Sequence, residues 1–192
     1  MTESELIDLI LENHVLTVGQ EFQLKSGEMT DHFYNFGKLN SAQSLAQLAT
    51  HMIGNIYGDT YTVLFTSAYK GIMITSAMLS ECGLDFPNIT FRMGYLRKEE
   101  KDHGEEGIVV GHCPGPGEVV VLVDDVFTTG QSLQEMADFI KSTGAMIESA
   151  IVVVRRGSLE VKADVEQLLD CPIRCLVSDD KVMAKYKMRN TR

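Results

Sequence analysis

Residues 119–132 read VVVLVDDVFTTGQS: five apolar residues, two adjacent carboxylates, then two threonines, a glycine and a serine within a few positions. A short unbroken run of Val and Leu suits a strand buried on both faces, the environment of a parallel sheet covered by helices. The strand is expected over residues 119–123. Successive strand residues point to opposite faces, so Asp124 and Asp125 cannot both hide in one core and should mark the exit from it.

The rest of the chain alternates in the same sense. Further strands are expected at residues 62–66, 89–93, 147–154 and 172–177, with helices at 70–81, 131–142 and 159–169 between them. A first helix is expected over 2–14, with Thr2 as cap and Leu6, Ile7, Leu9 and Ile10 apolar. A second, over 41–56, places Leu45, Leu48, Ala49, Met52, Ile53 and Ile56 on one face. Residues 22–35 mix polar and aromatic side chains and suit short strands joined through a turn at Gly27. Residues 97–111 are too charged and glycine-bearing for core and read as a loop. Strands alternating with helices give βαβ units and a mostly parallel sheet, an α/β fold in which ligands sit beyond the carboxyl ends of the strands. At 192 residues this is one domain.

A net charge of −10 argues against a nucleic-acid backbone or an anionic membrane as the main partner. An anionic ligand would then need local clusters of Lys and Arg. No apolar run approaches the roughly 20 residues that span a bilayer, and MTESELIDLI carries acids where a signal peptide carries bases, so the expected compartment is the cytoplasm. Cys82, Cys113, Cys171 and Cys175 are expected as free thiols there. The CPIRC spacing could seat zinc only beside a second pair, and Cys82 and Cys113 are isolated.

Behind the two acids, TTGQS opens a helix. Backbone N–H groups freed by a turn at Gly130, the helix N-terminus, and the hydroxyls of Thr128, Thr129 and Ser132 together make a cradle for a phosphate. Acids would repel a bare phosphate there, but they suit a ligand that also offers hydroxyls or a metal ion. A ribose 5-phosphate offers both features. The ordinary structural alternative makes the acids helix-dipole partners and the hydroxyls caps. Two competing phosphate motifs are absent: there is no GxxxxGK[ST], and GPG at 115–117 precedes a strand instead of opening a helix.

This stretch resembles the phosphoribosyl-pyrophosphate-binding motif of the type I phosphoribosyltransferases. FQLKSG at 22–27, SAYKGI at 67–72 and RKEEKDHG at 97–104 narrow the resemblance to the orotate phosphoribosyltransferases, in order and spacing, over most of the chain. The resemblance implies one domain over 1–192, with an N-terminal helix and base-binding hood at 1–40 and an α/β core at 60–178. It implies transfer of ribose 5-phosphate from phosphoribosyl pyrophosphate to orotate. Asp124 and Asp125 would hold the ribose hydroxyls, and Thr128, Thr129, Gly130, Gln131 and Ser132 the 5-phosphate, with Val126 and Phe127 also part of the phosphoribosyl-pyrophosphate site. Tyr69 and Lys70 would meet the pyrophosphate. Arg97, Lys98, Lys101 and His103 would neutralise it as it departs, with Lys101 and His103 catalytic beside the two acids. Lys25, Phe33, Tyr34, Thr128 and Arg156 would grip and cover orotate. Mg²⁺ would bind mainly through the substrate, with Asp124 or Asp125 reached through water. The family's catalytic loop is shared across a homodimer.

The chemistry of the residues agrees. Leaving pyrophosphate needs cations where negative charge develops, and a loop bounded by Gly104 and Gly107 suits a lid that excludes water. Arg155 and Arg156 end a buried strand, where an arginine fork matches a carboxylate such as orotate's; a structural ion pair is the alternative. Glu28, Asp31, Thr66, Ser67 and Arg155 depart from the family pattern around the base and pyrophosphate sites. They leave open a phosphoribosyltransferase for another nucleobase, and a non-catalytic sensor of phosphoribosyl pyrophosphate is a second alternative.

Overall fold

The structure, a computed structural model, describes residues 1–23, 29–56, 61–85, 89–101 and 107–190. Its centre is a six-stranded sheet of β3 (Val63–Ser67), β4 (Arg92–Lys101), β5 (Gly107–Gly111), β6 (Val119–Phe127), β7 (Met146–Arg155) and β8 (Ile173–Ser178). The spatial order is β5-β4-β3-β6-β7-β8, and every neighbouring pair is parallel except the β4–β5 hairpin. The α/β architecture expected from the alternation is the one observed.

The VVVLV run explains itself in this setting. Val120 and Leu122 pack on one face with Phe65, with Leu133, Met136 and Ile140 of α4 (Gln131–Ser142), and with Val165 and Leu169 of α5 (Leu159–Leu169). Val121 and Val123 pack on the other face with Leu48 and Met52 of α2 (Ala42–Asn55) and Ile74 and Met78 of α3 (Lys70–Asp85). A strand covered on both faces needs apolar residues at every position. Each side chain so buried contributes roughly 1.5–3 kcal/mol.

The order of the strands also places the site. From β3 the chain adds β4 on one side and, after the hairpin, β6 on the other. The loops after β3 and β6 therefore diverge and leave a crevice between their carboxyl ends, where open α/β sheets bind ligands.

The N-terminal part forms a second layer. In α1 (Glu3–Glu12), Thr2 and Glu5 form a reciprocal capping box. β1 (Leu16–Gln23) and β2 (Met29–Tyr34) pair as a separate antiparallel ribbon, followed by a short 3₁₀ turn at Phe36–Lys38. A last helix, α6 (Asp179–Asn190), packs along α1 through Lys181–Glu3 at 2.7 Å, Lys185–Asp8, and Arg189–Asp8 at 2.7 Å.

Four expectations need correction. β6 does not stop at residue 123: it carries both acids and ends at Phe127, because β7 pairs with it as far as Phe127↔Arg155. Residues 97–111 are not simply a loop. β4 runs on to Lys101 and β5 returns beside it, an edge hairpin whose charge suits an exposed border. β1 starts six residues before the expected strand region, at Leu16. α6 went unread because its sequence is polar, with Val182 its buried residue. The Gly27 turn and Gly104 lie outside the described residues. Among the described residues no helix is long and apolar enough to cross a membrane, and all four cysteines are free thiols.

Phe65 is fully buried and stacks on Phe139 with centroids 5.8 Å apart. Phe65→Ala should destabilise the fold by about 3–5 kcal/mol in urea unfolding, with an unchanged m-value. A loss below about 1 kcal/mol would remove Phe65 from the load of this core.

Candidate active site

Thr66, Gly71 and Lys70 set the geometry where β3 and β6 part. The buried Thr66 hydroxyl donates to the Val123 carbonyl at 2.8 Å, directly before the acid pair. The first turn of α3 lies against the same side chain: a Cβ on Gly71 would meet Thr66 Oγ1 at 2.0 Å. That close approach fixes the start of α3, and with it Lys70. Lys70 Nζ lies 3.8 Å from Asp125 Oδ2, donates to the Tyr34 carbonyl at 3.2 Å, and sits 4.2 Å over the Phe33 ring. One ammonium thus joins the sheet, the acid pair and the N-terminal ribbon.

Both acids are largely withdrawn from water. Asp124 is buried, and its Oδ1 accepts the Asp125 N–H at 2.9 Å. Asp125 Oδ1 accepts the Val126 N–H at 3.0 Å, but Oδ2 is buried and has no hydrogen-bond donor among the described residues. Burial pushes the Asp125 carboxyl above the ordinary carboxylate range, and nearby Lys70 pulls the other way without cancelling it. A buried carboxylate oxygen without a donor is destabilising.

The turn after β6 has the form expected of a phosphate cradle. Thr2, Ser41 and Ser158 cap α1, α2 and α5 with their side chains, whereas α4 begins at Gly130 with no side-chain cap. Gly130 has φ +79°, and a Cβ there would meet Val165 at 2.8 Å. Only glycine combines that backbone with that packing. A recess of about 30 Å³ is lined by Asp124, Val126 and the turn through Leu133. A much larger groove, about 1100 Å³, runs between α1 and α2, but Glu5, Asp8 and Glu12 line it. For an anionic ligand, chemistry outweighs volume, and the small recess is the better site.

Arg156 closes the far side. Its N–H and that of Gly157 donate to the Phe127 carbonyl at 2.7 and 3.2 Å, and its Nη2 donates to Thr30 Oγ1 of β2 at 2.8 Å. A Cβ on Gly157 would lie 2.2 Å from the Thr128 carbonyl, so glycine lets the strand end press against the phosphate turn. Arg155 turns away to the Gly157 carbonyl. On the other flank Tyr69 is exposed, follows a cis Ala68–Tyr69 peptide, and carries Lys98 Nζ 4.8 Å from its ring centre; Arg97 donates to the Gly107 carbonyl at 2.7 Å.

The phosphoribosyl transferase domain family matches residues 36–182 of this chain. A curated orotate phosphoribosyltransferase of Actinobacillus succinogenes is 35% identical, over 94% of this chain and 86% of its own length. The chain belongs to the orotate phosphoribosyltransferase family. A family member from Acinetobacter baumannii is also 35% identical, over 92% of this chain and 83% of its own. Among solved structures, the orotate phosphoribosyltransferase of Francisella tularensis superposes with a TM-score of 0.72 at 28% identity, covering 97% of this chain and 91% of that one. That of Aeropyrum pernix, at 22% identity, shares the fold with a TM-score of 0.73 over 95% of this chain and 98% of its own.

As an orotate phosphoribosyltransferase, the chain brings Asp124 to Ser132, Lys70, Phe33 and Arg156 around one crevice, with Tyr69, Arg97 and Lys98 on its flank. Lys25 and His103 lie outside the described residues, as does the Lys101 side chain. Tyr34 is placed otherwise than a base-gripping ring would be: it is 2% exposed and donates to Asp179 Oδ1 at 2.6 Å. Burial and that carboxylate push its phenol far above the ordinary range. Only its carbonyl reaches Lys70. Thr66, in sequence only a departure from the family pattern, shapes the site; Thr30 and Asp179 carry no sequence signal.

Asp125→Asn tests the electrostatics. A folded-state carboxyl held above its ordinary value favours the native state only while protonated, and that advantage is lost as pH rises through its folded value. At pH 7 the asparagine variant should therefore melt higher than the wild type, although turnover falls steeply. The gap in Tm should close at about pH 3, where both side chains are neutral. A variant that melts lower at pH 7 would contradict a carboxyl destabilised by burial.

Proposed function

We propose that this chain transfers the 5-phosphoribosyl group of 5-phosphoribosyl 1-pyrophosphate to orotate, giving orotidine 5′-phosphate and pyrophosphate. The observation that supports it most is the buried, undersatisfied Asp125 carboxylate, 3.8 Å from Lys70 on the strand that leads into the phosphate-shaped turn. Ribose hydroxyls donate to Asp124 and Asp125 and supply the donor that Oδ2 lacks. The 5-phosphate rests on residues 128–132. Lys70, Tyr69 and Lys98 receive the pyrophosphate, together with Arg97, Lys101 and His103. Orotate lies under Phe33 with its carboxylate on the Arg156 fork and Lys25.

The bond from ribose C1 to the pyrophosphate oxygen breaks while a ring nitrogen of orotate bonds to C1, and the proton of that nitrogen passes to the departing pyrophosphate. Positive charge builds on the sugar, beside two carboxylates, and negative charge on the leaving group, beside the cations. Mg²⁺ fits the donor set in one way. Asp124 and Asp125 offer hard oxygens, but no three His, Cys, Asp or Glu side chains converge on one point among the described residues. Such a site suits an ion carried mainly on the substrate's phosphate oxygens, with Asp124 or Asp125 reached through water. An ion held there would neutralise charge on the departing pyrophosphate.

Arg156 favours a carboxylate-bearing base over other nucleobases, and the cationic hairpin favours catalysis over sensing. A spectrophotometric assay decides the reading: orotate should be consumed only with phosphoribosyl pyrophosphate and Mg²⁺ both present. No consumption by folded protein would overturn it. Arg156→Ala should raise the KM for orotate about tenfold or more and that for phosphoribosyl pyrophosphate less than about twofold. Equal effects would remove Arg156 from the base site.

The reading includes a homodimer whose Lys101–His103 segment serves the neighbouring site. Lys101→Ala and Asp125→Asn should each be nearly inactive alone. A mixed dimer has one site with both defects and one with neither, so activity should return on subunit exchange. A mixture that stays inactive after verified exchange would place the segment in its own chain's site.

A further inference from the structure

β1 and β2 form a two-stranded ribbon outside the main sheet, and such a ribbon is marginal unless something fastens it. Yet two of its residues reach the crevice: Thr30 accepts the Arg156 guanidinium, and Phe33 lies under Lys70. What holds the ribbon in register with the sheet decides where those groups stand.

The strongest tie is Asp179. It follows Ser178, which pairs with Arg155 across β8 and β7, so its carboxylate stands at the end of β8, beside the strand that ends just before Arg156. Its Oδ1 accepts the Tyr34 hydroxyl at 2.6 Å and lies 2.9 Å from His32 Nε2. His32 is buried, with Nδ1 2.7 Å from Asp31 Oδ1, and its carbonyl accepts the Thr30 hydroxyl at 3.2 Å. Asp179, Tyr34, His32, Thr30 and Arg156 form one connected set, spanning α6, β2 and the end of β7. The helix that starts at Asp179 is itself tied to α1 by four ion pairs. Asp179 also follows β8 without an intervening loop, which anchors the carboxylate at the end of the sheet.

We propose that Asp179 is a positioning residue for the base site: its carboxylate fastens Tyr34 and His32 of β2 to the sheet edge and so sets where Thr30 holds the Arg156 guanidinium. The kinetic part of this inference rests on the orotate reading. Asp179 and the Tyr34 hydroxyl touch no reacting atom; they act through β2. A small displacement of a binding group is enough to weaken binding markedly.

The test uses Tyr34→Phe, which removes only the hydroxyl, with Asp179→Ala, Asp179→Asn and the Tyr34→Phe/Asp179→Ala double variant. Each single loss should raise the KM for orotate about tenfold and leave that for phosphoribosyl pyrophosphate within about twofold. Asparagine keeps an acceptor for Tyr34 and should fall between the wild type and alanine. The double variant should be no worse than Asp179→Ala, since the two side chains share one bond. Hydrogen exchange in peptides covering 29–34 should quicken in Tyr34→Phe and Asp179→Ala while the sheet strands keep their protection. Equal rises in both KM values, independent effects that multiply, or unchanged exchange would each overturn the positioning role. Should the wild-type protein not consume orotate, the functional reading falls, and the exchange comparison still decides the anchor.

Discussion

A carboxylate that has left water with one oxygen unsatisfied is the constraint around which this structure is arranged. Asp125 Oδ2 is buried at the point where β3 and β6 part, with the Lys70 ammonium 3.8 Å away. Two ordinary remedies are absent: the ammonium is too distant for a hydrogen bond, and no described side chain donates to that oxygen. The surrounding elements hold the group in this state. β7 keeps β6 extended through both acids, Thr66 ties the strand just before them to β3, and Gly71 lets α3 start close enough to bring Lys70 in. A protein gains nothing in stability from such an arrangement, and local rules broken at a site commonly mark function.

Lys70 and Arg156 connect the sheet to the layer above it. Each reaches the ribbon from a different strand end, one to the Tyr34 carbonyl and Phe33 ring, the other to Thr30. The sheet end and the ribbon are therefore mechanically coupled; under the proposed function the first is a sugar-phosphate floor and the second a base cover. This division matches the two substrates of a phosphoribosyl transfer, and it explains why the cations stand at the border between them.

Much of this was legible in the residues. α4 and α5 were placed to the residue because glycine, serine and apolar spacing mark their ends. The VVVLV run gave away a strand covered on both faces. The phosphate turn was readable because its parts are contiguous. Other features depend on partners far along the chain. β6 continues past residue 123 because β7 pairs with it, which local polarity hid. Tyr34 looked like a base-facing ring until Asp179, 145 residues away, took its hydroxyl. Thr30 meets Arg156 across 126 residues. Neither contact leaves a trace in spacing or composition, since a threonine on an edge ribbon and an aspartate opening a polar helix are ordinary in isolation.

The central claim is that Asp125 waits for hydroxyl donors from a sugar phosphate. Carbon-detected NMR of the Asp125 side-chain carboxyl, titrated with and without saturating ribose 5-phosphate, reads this directly. Without ligand the carboxyl should titrate above the ordinary carboxylate range, as its burial dictates. With ligand it should titrate lower, because donated hydrogen bonds stabilise the charged form. An Asp125 titration that is ordinary in the free protein, or that does not move when ribose 5-phosphate binds, would contradict the account.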